Sequence, residues 1–133
     1  MNTHETYVSL ETGKLLKQAG FDWECRKIYY CYHEDGDKWE LEDNYKNHKH
    51  ILKLDHCLLT PTLDVAQRWL REVKQCYVHV YPMFSFEGTL EYYFVEVIYP
   101  RSRAIKQNEF STYEEAQEEG IKEALKIILE EGE

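Results

Sequence analysis

Two spacings of apolar residues organise this chain, one of period near 3.6 and one of period 2, and together they predict its elements. A short helix is predicted over residues 9–19, with Ser9 as its cap. Gly20 provides a left-handed stop, after which Phe21 folds back on Leu16. Residues 24–33 then read as a tyrosine-rich strand, Glu34-Asp35-Gly36-Asp37 as a turn, and Lys38-Trp39-Glu40-Leu41-Glu42 as the returning strand. Residues 43–59 show no clear period and read mostly as loop.

Thr60-Pro61 looks like a second helix start, a hydroxyl cap followed by proline in the first turn. Leu63, Ala66, Leu70 and Val73 form its buried stripe, with Trp69 beside them. Strands are predicted over 77–86 and 90–99, joined near Glu87-Gly88-Thr89. A last helix runs from Ser111 or Thr112 to about Glu130; both Ser111…Glu114 and Thr112…Glu115 satisfy the capping-box spacing. The order α-β-β-α-β-β-α predicts an α+β fold, a two-layer sandwich of a mainly antiparallel sheet with helices on one face. No linker or repeat interrupts it, so residues 1–133 are expected to form a single domain.

The strand pair is the most informative region. One parity holds Val78, Val80, Val95 and Val97, a core face, while the other holds Tyr77, His79, Tyr81, Tyr92, Phe94, Glu96 and Ile98. A half-exposed sheet should have one polar face, yet here both are apolar or aromatic. Tyr77, His79, Tyr81, Tyr92 and Phe94 are therefore a candidate binding surface for a partner, a flat ligand or a second copy. The alternative is ordinary packing beneath loop 43–59 or a helix.

The charge balance narrows the partners. Lys and Arg number 16 against 25 Asp and Glu, and eight of those acids lie in residues 111–133. So acidic a chain is repelled by phosphate, which makes nucleic acid an unlikely partner. Glu115, Glu118 and Glu119 form a candidate acidic binding face on the last helix. Arg101 and Arg103, with Lys106, form a candidate basic patch in what reads as a loop after the last strand. No apolar run reaches the length that crosses a bilayer, and Met1–Glu5 lack signal-peptide character, so no membrane partner is expected. Cys25, Cys31, Cys57 and Cys76 are too irregularly spaced for a disulfide framework and read as reduced thiols of a cytoplasmic protein.

Metal and catalytic patterns are weak. His48, His50, His56 and Cys57 lie close together; Cys25, Cys31 and His33 share one parity of the first predicted strand; and Cys76 and His79 are three apart. None forms the tight ligand pairs of a structural zinc site, so neither a metal nor another cofactor is expected. His56 beside Cys57 is adjacency that points the two side chains apart in an extended segment. No nucleophile elbow, phosphate loop or H-E-x-x-H occurs, and an enzyme is not expected. Glu96 on the strand face of His79 is the one pairing that would reopen that question.

Two stretches, Thr60-Pro61-Thr62-Leu63…Ala66-Gln67-Arg68-Trp69-Leu70-Arg71-Glu72 and Thr112-Tyr113-Glu114-Glu115-Ala116…Gly120-Ile121…Glu123-Ala124-Leu125, carry a resemblance. With Leu10-Glu11-Thr12-Gly13-Lys14-Leu15-Leu16-Lys17…Gly20-Phe21-Asp22-Trp23-Glu24-Cys25, they resemble small uncharacterised proteins of gut Bacteroidales genomes and of their phages and prophages. That resemblance implies a bacterial cytoplasm and a mobile-element origin, and brings no catalytic residues. The expected role is a non-enzymatic accessory protein that binds a host protein. Sequestering a nucleotide-like small molecule, with Arg101 and Arg103 near its phosphate, is the alternative. A homodimer joined through the tyrosine face is the third reading.

Overall fold

The computed structural model describes residues 6–32, 38–44, 53–100 and 102–131, with backbone alone over 102–107. It clusters into two compact units, Met1–Thr62 and Leu63–Glu133. The α+β class holds, and the predicted elements occur in the predicted order. Each unit carries its own three-stranded antiparallel sheet, and each sheet contains one strand that the apolar pattern does not reveal.

In the first unit, α1 (Leu10–Gln18) begins at Ser9, whose side chain accepts the Thr12 N–H at 3.2 Å. It ends where Gly20 adopts φ +92°, a left-handed conformation that glycine enters without a Cβ penalty. There the Phe21 N–H reaches Leu16 O (2.9 Å) and the Gly20 N–H reaches Lys17 O (3.1 Å), so both helix-stop bonds form and Phe21 is buried. A nine-residue helix has little intrinsic stability, so its caps matter. Ser9→Ala is expected to cost about 1 kcal/mol in denaturant unfolding; no change would show that packing alone holds this end.

The α1 face containing Thr12, Gly13 and Leu16 is buried, with Gly13 against Tyr29 and Leu58 of the sheet. That sheet has the order β2-β1-β3, with β1 Lys27–Cys31, β2 Trp39–Asp43 and β3 Cys57–Thr60. Strand β1 is shorter than predicted, which leaves Cys25 outside it; the predicted turn 34–37 and His33 lie outside the described residues. Strand β3 occupies part of the segment that reads as loop. All four of its residues are buried, and a strand buried on both faces shows no alternation.

The Thr60-Pro61 helix start is also corrected. Thr60 ends β3, with its hydroxyl donating to Leu58 O at 2.9 Å. Pro61 O accepts the Val8 N–H, Thr62 bridges to Tyr7, and the second helix begins at Leu63. A threonine followed by proline also suits the end of an edge strand, and the long-range pairing decides between the two uses.

The second unit comprises α2 (Leu63–Val73), β4 (Tyr77–Phe84), β5 (Leu90–Tyr99), β6 (Ser102–Phe110) and α3 (Tyr113–Glu131). Its sheet has the order β4-β5-β6. Strand β6 takes up the segment read as a basic loop, so Arg103 and Lys106 are strand residues. The Val78/Val80/Val95/Val97 parity does face the helix layer: Val78, Val95 and Val97 are buried, and Gly120 of α3 lies directly against Val78 and Val95. Ala116, Ile121, Ala124, Leu125 and Ile128 complete the buried side of α3. Gln117, almost fully buried, donates to Asp64 Oδ1 (2.8 Å) and Gln67 Oε1 (2.7 Å), and Gln67 Nε2 in turn donates to Val78 O at 2.6 Å. This chain of amides ties α3 to α2 and α2 to the backbone of β4.

Candidate functional site

The face of the second sheet opposite α3 is built by the antiparallel register of β4 and β5. Tyr77 lies opposite Ile98, His79 opposite Glu96, Tyr81 opposite Phe94 and Met83 opposite Tyr92. The register thus brings together all five residues of the candidate aromatic surface. Tyr77, His79, Tyr81 and Met83 are exposed, while Tyr92, Phe94 and Ile98 are half-buried. Tyr77 keeps 41% of its surface exposed and Tyr81 37%, more than ordinary core packing leaves.

The rings are ordered along the strand. Tyr77 and His79 meet edge-on at 6.3 Å, as do His79 and Tyr81 at 6.1 Å, while Tyr81 stacks on Phe94 at 5.0 Å with 19° between planes. Contacts of this kind favour these ring orientations.

Glu96 is the residue whose environment the strand pattern does not reveal. It sits on the central strand at 4% exposure and accepts the Tyr81 hydroxyl at 3.2 Å; His79 Nδ1 lies 3.3 Å from the same hydroxyl. A carboxylate in such a place must be hydrogen-bonded to be tolerated. The one available signal is a lone acid in the middle of an apolar strand, and its significance depends on knowing that β5 is central. The triple His79–Tyr81–Glu96 orients an imidazole at the surface through a phenol and a carboxylate. It contains no thiol or aliphatic hydroxyl that a base could activate.

The other candidates fare differently. Glu115 completes a reciprocal cap with Thr112, whose Oγ1 accepts the Glu115 N–H at 3.1 Å and donates to Glu115 Oε1 at 3.2 Å. Glu119 pairs with Lys122 at 3.2 Å, and Glu118 and Glu119 are half-buried. The acidic face therefore already has internal uses. Arg101 lies outside the described residues, as does the Arg103 side chain; the Arg103 backbone pairs with Ile98. His48 and His50 also lie outside them. Exposed His56 meets Tyr30 edge-on at 5.1 Å, while Cys57 beside it is buried. Among the described residues no three His, Cys, Asp or Glu side chains are grouped to hold a metal ion.

All four cysteines are free thiols. Burial pushes the Cys25 thiol up to about 12, against a smaller opposing effect of the Thr60 backbone, and burial alone raises Cys76 to about 12. Both stay protonated and poorly nucleophilic near neutral pH. No helix among the described residues is long and apolar enough to cross a membrane. Comparison of the chain with models of known protein families, with curated proteins and with solved structures finds no match.

Proposed function

We propose that this chain is a non-catalytic accessory protein of phage or prophage origin. It acts by binding a host protein through the open aromatic face of its second sheet. The observation that carries this reading is the exposed row Tyr77–His79–Tyr81, its rings in edge-on contact on one face of a sheet while α3 packs against the other. Tyrosine gives large amphipathic contact area at low entropic cost, which suits it to the centre of an interface.

Between Lys74 and Arg101 the chain has no Lys or Arg but carries Glu87, Glu91 and Glu96. A partner surface with apolar pockets complements this face, and basic groups at its rim would meet the exposed Glu87 and Glu91 at the hairpin end, Glu96 being buried. The acidic helix face is the weaker candidate, because Glu115 and Glu119 have partners within α3 and its cap.

The test uses a host protein captured from bacterial lysate and then purified. In titration calorimetry with that protein, Tyr77→Ser/Tyr81→Ser is expected to weaken binding by roughly a hundredfold or more, as loss of two interface anchors requires. Reversal of Glu115, Glu118 and Glu119 to Lys is expected to leave binding within a few-fold of wild type. Wild-type affinity in the tyrosine variant, or loss of binding in the glutamate variant alone, would move the site to α3.

A further inference from the structure

We infer that β4 is a self-pairing edge, through which two copies of this chain join antiparallel about a two-fold axis at Val80. The inference is independent of the host-binding reading, since it concerns the edge of the sheet and not its face.

Among the described residues β4 pairs only with β5 and is one edge of its sheet. Exposed edges are normally guarded by charged residues that discourage a further strand. Strand β6, the opposite edge, includes Arg103, Lys106 and Glu109. Strand β4 reads Tyr-Val-His-Val-Tyr-Pro-Met-Phe, with no Lys, Arg, Asp or Glu, and six of its eight residues are exposed.

Three observations show which backbone groups of β4 face outward. Tyr99 pairs with Ser102 only three residues on, which two strands can do only by exchanging bonds between those two residues, so the Tyr99 backbone faces β6; Val97 follows by alternation, and Glu96 and Ile98 turn toward β4. Their partners His79 and Tyr77 therefore bond to β5, while Val78, Val80 and residue 82 face outward. Residue 82 is proline, which has no N–H to lose at an edge. Val78 O is reached by the Gln67 side chain, from outside the ladder.

The outward row thus has two interruptions, a missing donor at Pro82 and an acceptor already engaged at Val78. In an antiparallel pairing centred on Val80, Val78 of one copy lies opposite Pro82 of the other. The absent N–H then falls opposite the carbonyl that Gln67 already satisfies. What remains is complementary: Val80 N–H and C=O bond reciprocally across the axis, and Val78 N–H meets Pro82 C=O on each side. The same register sets His79 against Tyr81 of the second copy and Tyr77 against Met83, aromatic and apolar cross-strand pairs with no like charges opposed. An unrelated strand would have to reproduce both interruptions in this register, whereas a second copy does so by symmetry. The product is a continuous six-stranded sheet whose two aromatic rows lie side by side.

The full chain is expected to sediment as a dimer at micromolar concentration. Val80→Pro, which removes the outward donor and spares the β4–β5 bonds, is expected to raise the dimer dissociation constant on the order of tenfold or more. A register test avoids reliance on how that variant folds. Under mild oxidation, mixed His79→Cys and Tyr81→Cys chains should form a disulfide-linked dimer far more efficiently than either chain alone. A wild-type chain that stays monomeric at several hundred micromolar overturns the inference, and so does crosslinking without preference for the mixture. Neither result bears on whether the tyrosine face binds a host protein, which the calorimetry reads separately.

Discussion

Gly120→Ala is expected to destabilise the second unit by about 2 kcal/mol, even though alanine is the better helix former by roughly 1 kcal/mol. A Cβ at this position would lie 2.5 Å from Val95 Cγ2 and 2.6 Å from Val78 Cγ1. Neither valine can move aside easily, because β-branched side chains have few χ1 alternatives and both are almost fully buried. The helix would have to lift from two strands at once, opening the layer around Ile121, Ala124 and Leu125. Overpacking of this kind costs more than propensity returns, so the clash decides the sign. Gly13→Ala in α1 is the control. There the new methyl would meet Tyr29 and Leu58 at 3.7 and 3.8 Å, ordinary contact distances, and the change is expected to stabilise by about 0.5–1 kcal/mol. Denaturant midpoints of the two variants should move in opposite directions. If both rise, the close approach of α3 to the sheet is wrong.

The second large effect is alkaline. Cys76 has no exposed surface, and burial raises its thiol from 9.0 to about 12. In the unfolded chain the thiol ionises at its ordinary value. Below pH 9 both states hold the proton, and the neutral buried thiol costs nothing extra. Between pH 9 and 12 the unfolded state releases the proton while the folded state keeps it. Stability therefore falls as pH rises, by about 1.4 kcal/mol per pH unit for each such thiol. Cys25 titrates with the same sign over the same window.

Comparison of wild type with Cys76→Ala isolates one thiol, since lysines and tyrosines elsewhere act alike in both chains. At pH 8 the variant should be the less stable, by about 1 kcal/mol for the small cavity left behind. At pH 11 wild type will have lost on the order of 2–3 kcal/mol through this group, and the variant should be the more stable. Urea midpoints measured at pH 8, 10 and 11 test for that crossing. Parallel pH curves would mean that Cys76 is accessible to water in the folded protein.

The features legible in the sequence are those whose causes lie within a few residues. The Ser9 cap and the Gly20–Phe21 stop were both readable, because each is a bond between positions three to five apart in the chain. The Thr112…Glu115 box formed as spaced, although only the structure chose it over Ser111…Glu114. Period 2 separated Val78, Val80, Val95 and Val97 from the aromatic row, because alternation is a property of the extended backbone itself. The five aromatic candidates were legible for the same reason.

Tertiary structure decided everything that depends on a distant neighbour. Strand β3 carries no alternation because both of its faces are buried, and β6 looks like a polar loop because it is an edge. Thr60-Pro61 has the local chemistry of a helix start, but pairing with β1 claims Thr60 first. The identity of Glu96 is plain in the sequence, whereas its burial beneath Tyr81 requires β5 to be the middle strand. Gly120 reads as an ordinary weak point in a helix until two valines from separate strands are found where its Cβ would be. Local hydrogen bonds and backbone periodicity are written in consecutive residues. Strand order, burial and close approach arise from which segments meet, and a single chain's pattern leaves many such meetings open.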